Sequence, residues 1–257
     1  AVIPLALEDL SSDLYLYNPQ AGTFKRLSER FQQEFAPLWA PGQNWLVFQE
    51  VNSYATPDDW EVSLIGAWKM PKQDELRFLF EPKATGNWEH YVGWLTPEEL
   101  VSYTATETGG TDVHWSRLDR GTSVVLRYGA FGPVALDRAH GSIAVSVNSA
   151  EGKIGGRKPG IYFSKSGGLL FYLLMEGEFE HLEFAPEVGH FVATGKSGVL
   201  QFDGNGILAR LEADQRISFS PDGKWAIGWG TNGARLYYAD GMHLQNLTEQ
   251  SVSTVVW

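Results

Sequence analysis

The stretch RISFSPDGKWAIGWGTNGARLYYADGMHLQNLTEQ, Arg216 to Gln250, reads as four short strands separated by three tight turns. Arg216–Phe219 leads into Ser220-Pro221-Asp222-Gly223, and Trp225–Trp229 into Thr231-Asn232-Gly233. Arg235–Ala239 then leads into Asp240-Gly241, and His243–Thr248 closes the unit. Pro pre-sets the dihedral of a turn, and Gly after Asp or Asn accepts the positive φ that hairpins need. A 35-residue run of this kind predicts one four-stranded antiparallel sheet.

The same order of residues recurs along the chain. FAPLWAPGQNWLVFQE (Phe35–Glu50) sets Trp39, Pro41 and Gly42 where the first unit has Phe219, Pro221 and Asp222. HYVGWLTPEELVSYTATE follows with Trp94 and Pro97, PVALDRAHGSIAVSVNS with Leu136 and Gly141, and HLEFAPEVGHFVATG with Phe184, Pro186 and Gly189. The chain ends on VSTVVW, with Trp257 in the same anchor position. The anchors Trp39, Trp94, Leu136, Phe184, Phe219 and Trp257 are 55, 42, 48, 35 and 38 residues apart. A propeller blade of four strands takes roughly 40–50 residues.

The N-terminus supplies what the last unit lacks. Val2–Leu7, Asp13–Tyr17 and Phe24–Leu27 align with the second, third and fourth strands of the Arg216 unit. Trp257 would then end a first strand whose partners stand at the start of the chain. The prediction is an all-β, six-bladed propeller of four-stranded antiparallel blades, closed by one C-terminal strand pairing with three N-terminal strands. Residues 1–257 form its single domain, and the abrupt ends suggest part of a longer parent protein.

Composition agrees. Among 257 residues there are 28 Gly, 10 Trp, 10 Tyr and 14 Phe, while only 20% are charged. That favours short strands and tight turns over long surface helices. The net charge of -11 argues against a nucleic-acid or anionic-membrane surface. The absence of Cys excludes disulfides, thiolate zinc sites and cysteine nucleophiles. The longest apolar run, Leu169 to Met175, is too short to span a bilayer, and no signal peptide is visible at the N-terminus.

The SPDG turn after an aromatic-ended strand, followed by an LYY-type strand and an Asp-Gly hairpin, resembles the repeats of TolB-like six-bladed propellers. The resemblance implies a scaffold that binds other macromolecules, often in the periplasm or outside the cell, and many related propellers carry no catalysis. Fold alone is weak guidance on function.

No G-x-S-x-G elbow, H-E-x-x-H pair, Walker loop or dinucleotide fingerprint is present, and no cofactor is implied. The Gly-rich hairpins Asp203-Gly204-Asn205-Gly206 and Ser166-Gly167-Gly168 are expected to be plain turns. His140 and His190 flank Gly-containing turns and are expected at the surface of one face, while His114, a further single histidine, is counted among the candidate binding residues.

Candidate binding residues come from topology. The channel-mouth positions are Glu34, Glu89, His90, Phe131, Glu180, His181, Asp214 and Arg216. This acidic set suits a basic peptide, through field focusing, or a divalent metal held by Glu and His. It is also what a merely solvated rim would look like. Two long loops share that face: VNSYATPDDWE with Tyr54 and Trp60, and NSAEGKIGGRKPG with Arg157. Extra loop length with aromatic and Arg residues fits partner recognition. The rival expectation is a hydrolase or lyase, metal-assisted or not, acting on a carbohydrate-type substrate through mouth carboxylates, with Glu89 and Glu180 or Asp214 as the pair.

Overall fold

The computed structural model describes residues 1–7, 11–29, 32–51, 63–70, 76–78, 88–105, 111–128, 131–147, 158–165, 170–186, 189–196, 198–211 and 216–257. Twenty-three strands and no helix form among them. The first three are β1 (Val2–Ala6), β2 (Ser12–Asn18) and β3 (Thr23–Arg26). Two groups of four follow: β4 (Gln33–Trp39), β5 (Trp45–Val51), β6 (Ser63–Lys69), β7 (Leu76–Phe78), then β8 (Trp88–Trp94), β9 (Glu99–Ala105), β10 (Thr111–Arg117), β11 (Thr122–Tyr128). Three more groups complete the series. They are β12 (Phe131–Asp137), β13 (Ser142–Val147), β14 (Gly160–Ser164), β15 (Tyr172–Glu176); β16 (Phe179–Phe184), β17 (Phe191–Gly195), β18 (Gly198–Asp203), β19 (Gly206–Leu211); and β20 (Arg216–Phe219), β21 (Trp225–Gly230), β22 (Gly233–Tyr238), β23 (His243–Thr248).

The chain divides into two compact units, Ala1–Arg127 and Tyr128–Trp257. In the first, β1-β2-β3, β4–β7 and β8–β11 are antiparallel groups, joined into one sheet by single parallel bridges at Ser12–Gln33 and Ser63–Trp88. In the second, β12–β15, β16–β19 and β20–β23 are separate four-stranded antiparallel sheets in sequence order. The four strands of the quoted stretch thus form where its turn residues place them, and the three at the N-terminus where their alignment with that stretch places them.

The SPDG turn is built as its residues dictate. Ser220 Oγ donates to Asp222 Oδ1 at 2.6 Å, and the Gly223 and Lys224 amides donate to Ser220 O and Asp222 Oδ1. Gly223 takes φ +66°, and an added Cβ would overlap Pro186 O in the neighbouring sheet's turn. The Asp203–Gly206 hairpin is likewise a turn, with Asp203 Oδ1 accepting from the Asn205 and Gly206 amides. The Ser166 hairpin lies outside the described residues.

The core sits between successive sheets inside each unit. Leu14 of β2 meets Leu46, Phe48 and Trp68. Trp45, Val47 and Ile65 meet Trp94 and Leu100. In the second unit Phe163 meets Phe191 and Phe202, while Val192 and Ala185 meet Phe219 and Ile217. Of the anchors, Trp94 and Phe219 are buried and Trp39, Leu136 and Phe184 half-buried. The Trp94 indole also donates to Leu38 O at 3.3 Å.

The C-terminus differs from expectation. Residues 251–257 form no strand, and Trp257 is 44% exposed. The Val252 amide instead donates to Gly230 O at the end of β21, which sets the path of the segment. β1 pairs with β2 and with no other strand among the described residues.

Candidate functional site

The sheets β16–β19 and β20–β23 enclose a cleft of about 430 Å³ at the start of their first strands. Its polar walls are Glu180, His181, Glu183, Thr194, Arg216 and Trp229, and Val255 of the C-terminal segment completes it. Three of these, Glu180, His181 and Arg216, are mouth positions expected from the repeat. The others follow from register. His181 stands opposite Thr194 across β16–β17, and Arg216 opposite Trp229 across β20–β21. Directly opposed residues of an antiparallel pair share one face of the sheet.

Glu180 owes its position to a β-bulge. The ladder pairs Phe179 with Gly195 and His181 with Thr194, so Glu180 is the extra residue, and a bulge re-aims side chains. Glu180 is exposed. The Lys196 ammonium is raised above its ordinary value by its hydrogen bond to and the charge of Glu178, with the Glu180 charge adding to them.

Glu183 organises the floor of the cleft. Its Oε1 accepts from Ser218 Oγ at 3.3 Å and from the Phe219 amide at 3.2 Å, and its Oε2 lies 3.3 Å from His181 Nε2. One carboxylate thereby ties the first strand of one sheet to that of the next and holds the imidazole. Its acceptor capacity is largely spent on these contacts.

Two buried polar atoms of the cleft lining have no hydrogen-bond partner among the described residues: the indole Nε1 of Trp229, a residue 8% exposed, and Thr194 Oγ1. A buried donor without an acceptor costs free energy, so such groups are few in native proteins.

The remaining sequence-derived candidates fall elsewhere. Glu34 is not on a solvated rim: it is fully buried and accepts from Ser28 Oγ. Across the β4–β5 ladder it stands opposite Glu50, which is also buried. His114 is buried in β10 opposite Ser102. Glu89 and His90 lie in β8 opposite Thr104 and Tyr103, with their side chains outside the described set, as is that of Phe131. Tyr54, Trp60, Arg157 and Asp214 lie outside the described residues. His140 is half-exposed and holds Asp137 Oδ2 at 2.8 Å, whereas His190 is half-buried rather than at the surface. Among the described residues no group of three or more metal-ligating side chains gathers.

No protein-family model matches the chain, and no curated protein sequence does. Solved structures do match in shape. Dipeptidyl peptidase 4 of Porphyromonas gingivalis aligns with TM-score 0.69 and 11% identity, over 96% of this chain and 45% of that one. The β-propeller domain of the Trilobed protease from Pyrococcus furiosus, described as having an open velcro topology, aligns with TM-score 0.57 and 15% identity over 95% and 78%. An oligogalacturonate lyase in complex with manganese aligns with TM-score 0.56 and 12% identity over 97% and 74%. The chain is similar in fold to β-propeller proteins, and spans less than half of the peptidase. At these identities the likeness concerns fold alone.

Proposed function

We propose that this protein is a six-bladed propeller, with β1–β3 counted as the sixth blade, that serves as a non-catalytic module binding a protein or peptide. One observation carries the reading. At the mouth positions of two successive sheets, a cleft brings together a carboxylate, an imidazole, a guanidinium and a buried indole with an unmet N–H. Mixed charge around an aromatic anchor is the composition of a recognition pocket, and about 430 Å³ accepts one or two side chains of an extended segment. The long loops that carry Tyr54, Trp60 and Arg157 are assigned to the same task. The TolB-like resemblance adds a periplasmic or extracellular setting.

A peptide array probed with the purified protein tests this. Binding to a subset of peptides, lost in His181→Ala and Arg216→Ala, supports the reading; an array bound equally by wild type and both variants overturns it.

The His181–Glu183 pair favours a second reading. An imidazole oriented by a carboxylate at the edge of a cleft is the arrangement of a general base, which suits a lyase or hydrolase. Turnover of a carbohydrate or peptide substrate that vanishes in His181→Ala would select it.

A further inference from the structure

We infer that the Trp229–Arg216 wall of this cleft receives a carboxylate group of the bound polypeptide, a refinement that rests on the peptide-binding reading. The chemistry of the groups left unused points to it. Trp is a donor only, and so is Arg. The two stand directly opposite each other on β20–β21, both lining the cleft. The indole N–H has no acceptor among the described residues, and neither does the neighbouring Thr194 hydroxyl have a partner. Of the two carboxylates lining the cleft, Glu183 is occupied by Ser218, Phe219 and His181, and Glu180 stands at the exposed rim. What the wall lacks is an acceptor.

The acceptor's charge follows from the same residues. A guanidinium offers a planar fork that matches the two oxygens of a carboxylate, while the indole N–H and the hydroxyl supply single further bonds. A dianion such as a phosphate monoester would face Glu180 and Glu183 with more charge than one Arg offsets. A monoanion is matched one for one by Arg216, since Glu183 is already engaged by Ser218, Phe219 and His181, and Glu180 at the exposed rim is left to take a backbone or side-chain N–H of the same segment. The expectation of a purely basic peptide at an acidic mouth is thus replaced, at this blade pair, by an acidic residue or a chain terminus.

The test uses three blocked peptides: acetyl-tetraalanine with a free C-terminal carboxylate, its amide, and acetyl-Ala-Glu-Ala-Ala amide, with galacturonate as a fourth probe. The readout is the indole N–H proton resonance of Trp229, identified by its loss in Trp229→Phe. A shift with either carboxylate peptide and none with the acid-free amide is expected, and the responding peptide tells a terminus from a side chain. Arg216→Gln, a surface change that spares the core, should weaken that binding about tenfold, the worth of one charge-assisted hydrogen bond. An equal response to the acid-free amide, or an unchanged affinity in Arg216→Gln, overturns the carboxylate assignment while peptide binding stands. Silence to every peptide, by this resonance and by calorimetry, overturns both. A response to galacturonate alone transfers the wall to a uronate sugar and overturns the polypeptide occupant.

Discussion

Arg216 and Trp229 face each other across the β20–β21 ladder, one exposed and cationic, the other buried with its indole N–H unmet. Neither residue needs the other to fold: the ladder holds both backbones, and Ile217 and Phe219 supply the core contacts of β20. Replacing Arg216 by Gln should therefore change the unfolding free energy by less than about 0.5 kcal/mol, as for an ordinary surface position. A urea titration checks this, and a large loss would mean that Arg216 is structural.

Glu183 behaves differently because it joins two sheets. Removing its carboxylate in Glu183→Ala leaves the amide of Phe219, a buried residue, without its acceptor, and frees His181. The expected loss is about 1–3 kcal/mol of unfolding free energy. Glu183→Gln, which keeps an acceptor oxygen, should recover most of it. Denaturant midpoints of the two variants decide the matter, and equal losses would place the effect elsewhere.

The strand pattern was legible because each turn carries its own chemistry. Ser220-Pro221-Asp222-Gly223 and the Asn-Gly and Asp-Gly hairpins fix four strands without any long-range information, and the alignment of Val2–Leu7 with the second strand of that unit places β1. The end of the chain was not legible in the same way. VSTVVW has strand propensity, yet a strand needs a partner, and the Val252–Gly230 bond takes the segment elsewhere. The lining of the candidate cleft was half legible. Repeat spacing located Glu180, His181 and Arg216, all on first strands. Thr194, Trp229 and Glu183 enter only through cross-strand register and inter-sheet contact, which no local pattern encodes. Glu34 misled for the same reason: an acidic side chain at a mouth position gives no sign that Ser28 and the sheet will bury it.

A stacked aromatic column anchors the second unit. Phe191 is fully buried, and its ring centroid lies 5.2 Å from Phe202 and 5.9 Å from Phe163. Phe191→Ala should cost about 3–5 kcal/mol, the transfer term plus the cavity left behind. Phe191→Leu should cost clearly less. Chemical denaturation followed by tryptophan fluorescence distinguishes a cavity effect, graded by lost volume, from a global failure to fold.

The turn aspartates give the fold an acid-side dependence. Asp222 is held below its ordinary value, chiefly by the Ser220 hydroxyl and then by the Lys224 amide. Burial pushes Asp203 up, but the Asn205 and Gly206 amides outweigh it and leave the net shift downward. A carboxylate whose folded value lies below its unfolded one, near 3.9, contributes stability that is present above that value and lost as pH falls through the folded value. Asp222→Asn should thus lower Tm relative to wild type at pH 7. The gap should narrow below about pH 4, as the wild-type carboxylate protonates. A gap that stays constant from pH 7 to pH 2.5 would show that the charge of Asp222 contributes nothing.

Two glycines with the same backbone angle separate conformational strain from packing. Gly121 has φ +62° with nothing within 4 Å of an added Cβ, while Gly223 has φ +66° with Pro186 O in the way. Ala at either position meets the left-handed penalty, about 1–2 kcal/mol. At Gly223 the new methyl must in addition push the SPDG turn of β20–β21 away from the Pro186 turn of the preceding sheet. Those turns belong to the sheets that pack Phe219 and Ile217 against Val192 and Ala185. Gly223→Ala should therefore cost about 3 kcal/mol or more, with overpacking added to the strain, against about 1–2 kcal/mol for Gly121→Ala. Paired urea unfolding curves give the comparison. Equal losses would mean that the Pro186 turn yields freely, and that the two sheets are held together by their aromatic faces and Glu183 rather than by the close approach of their turns.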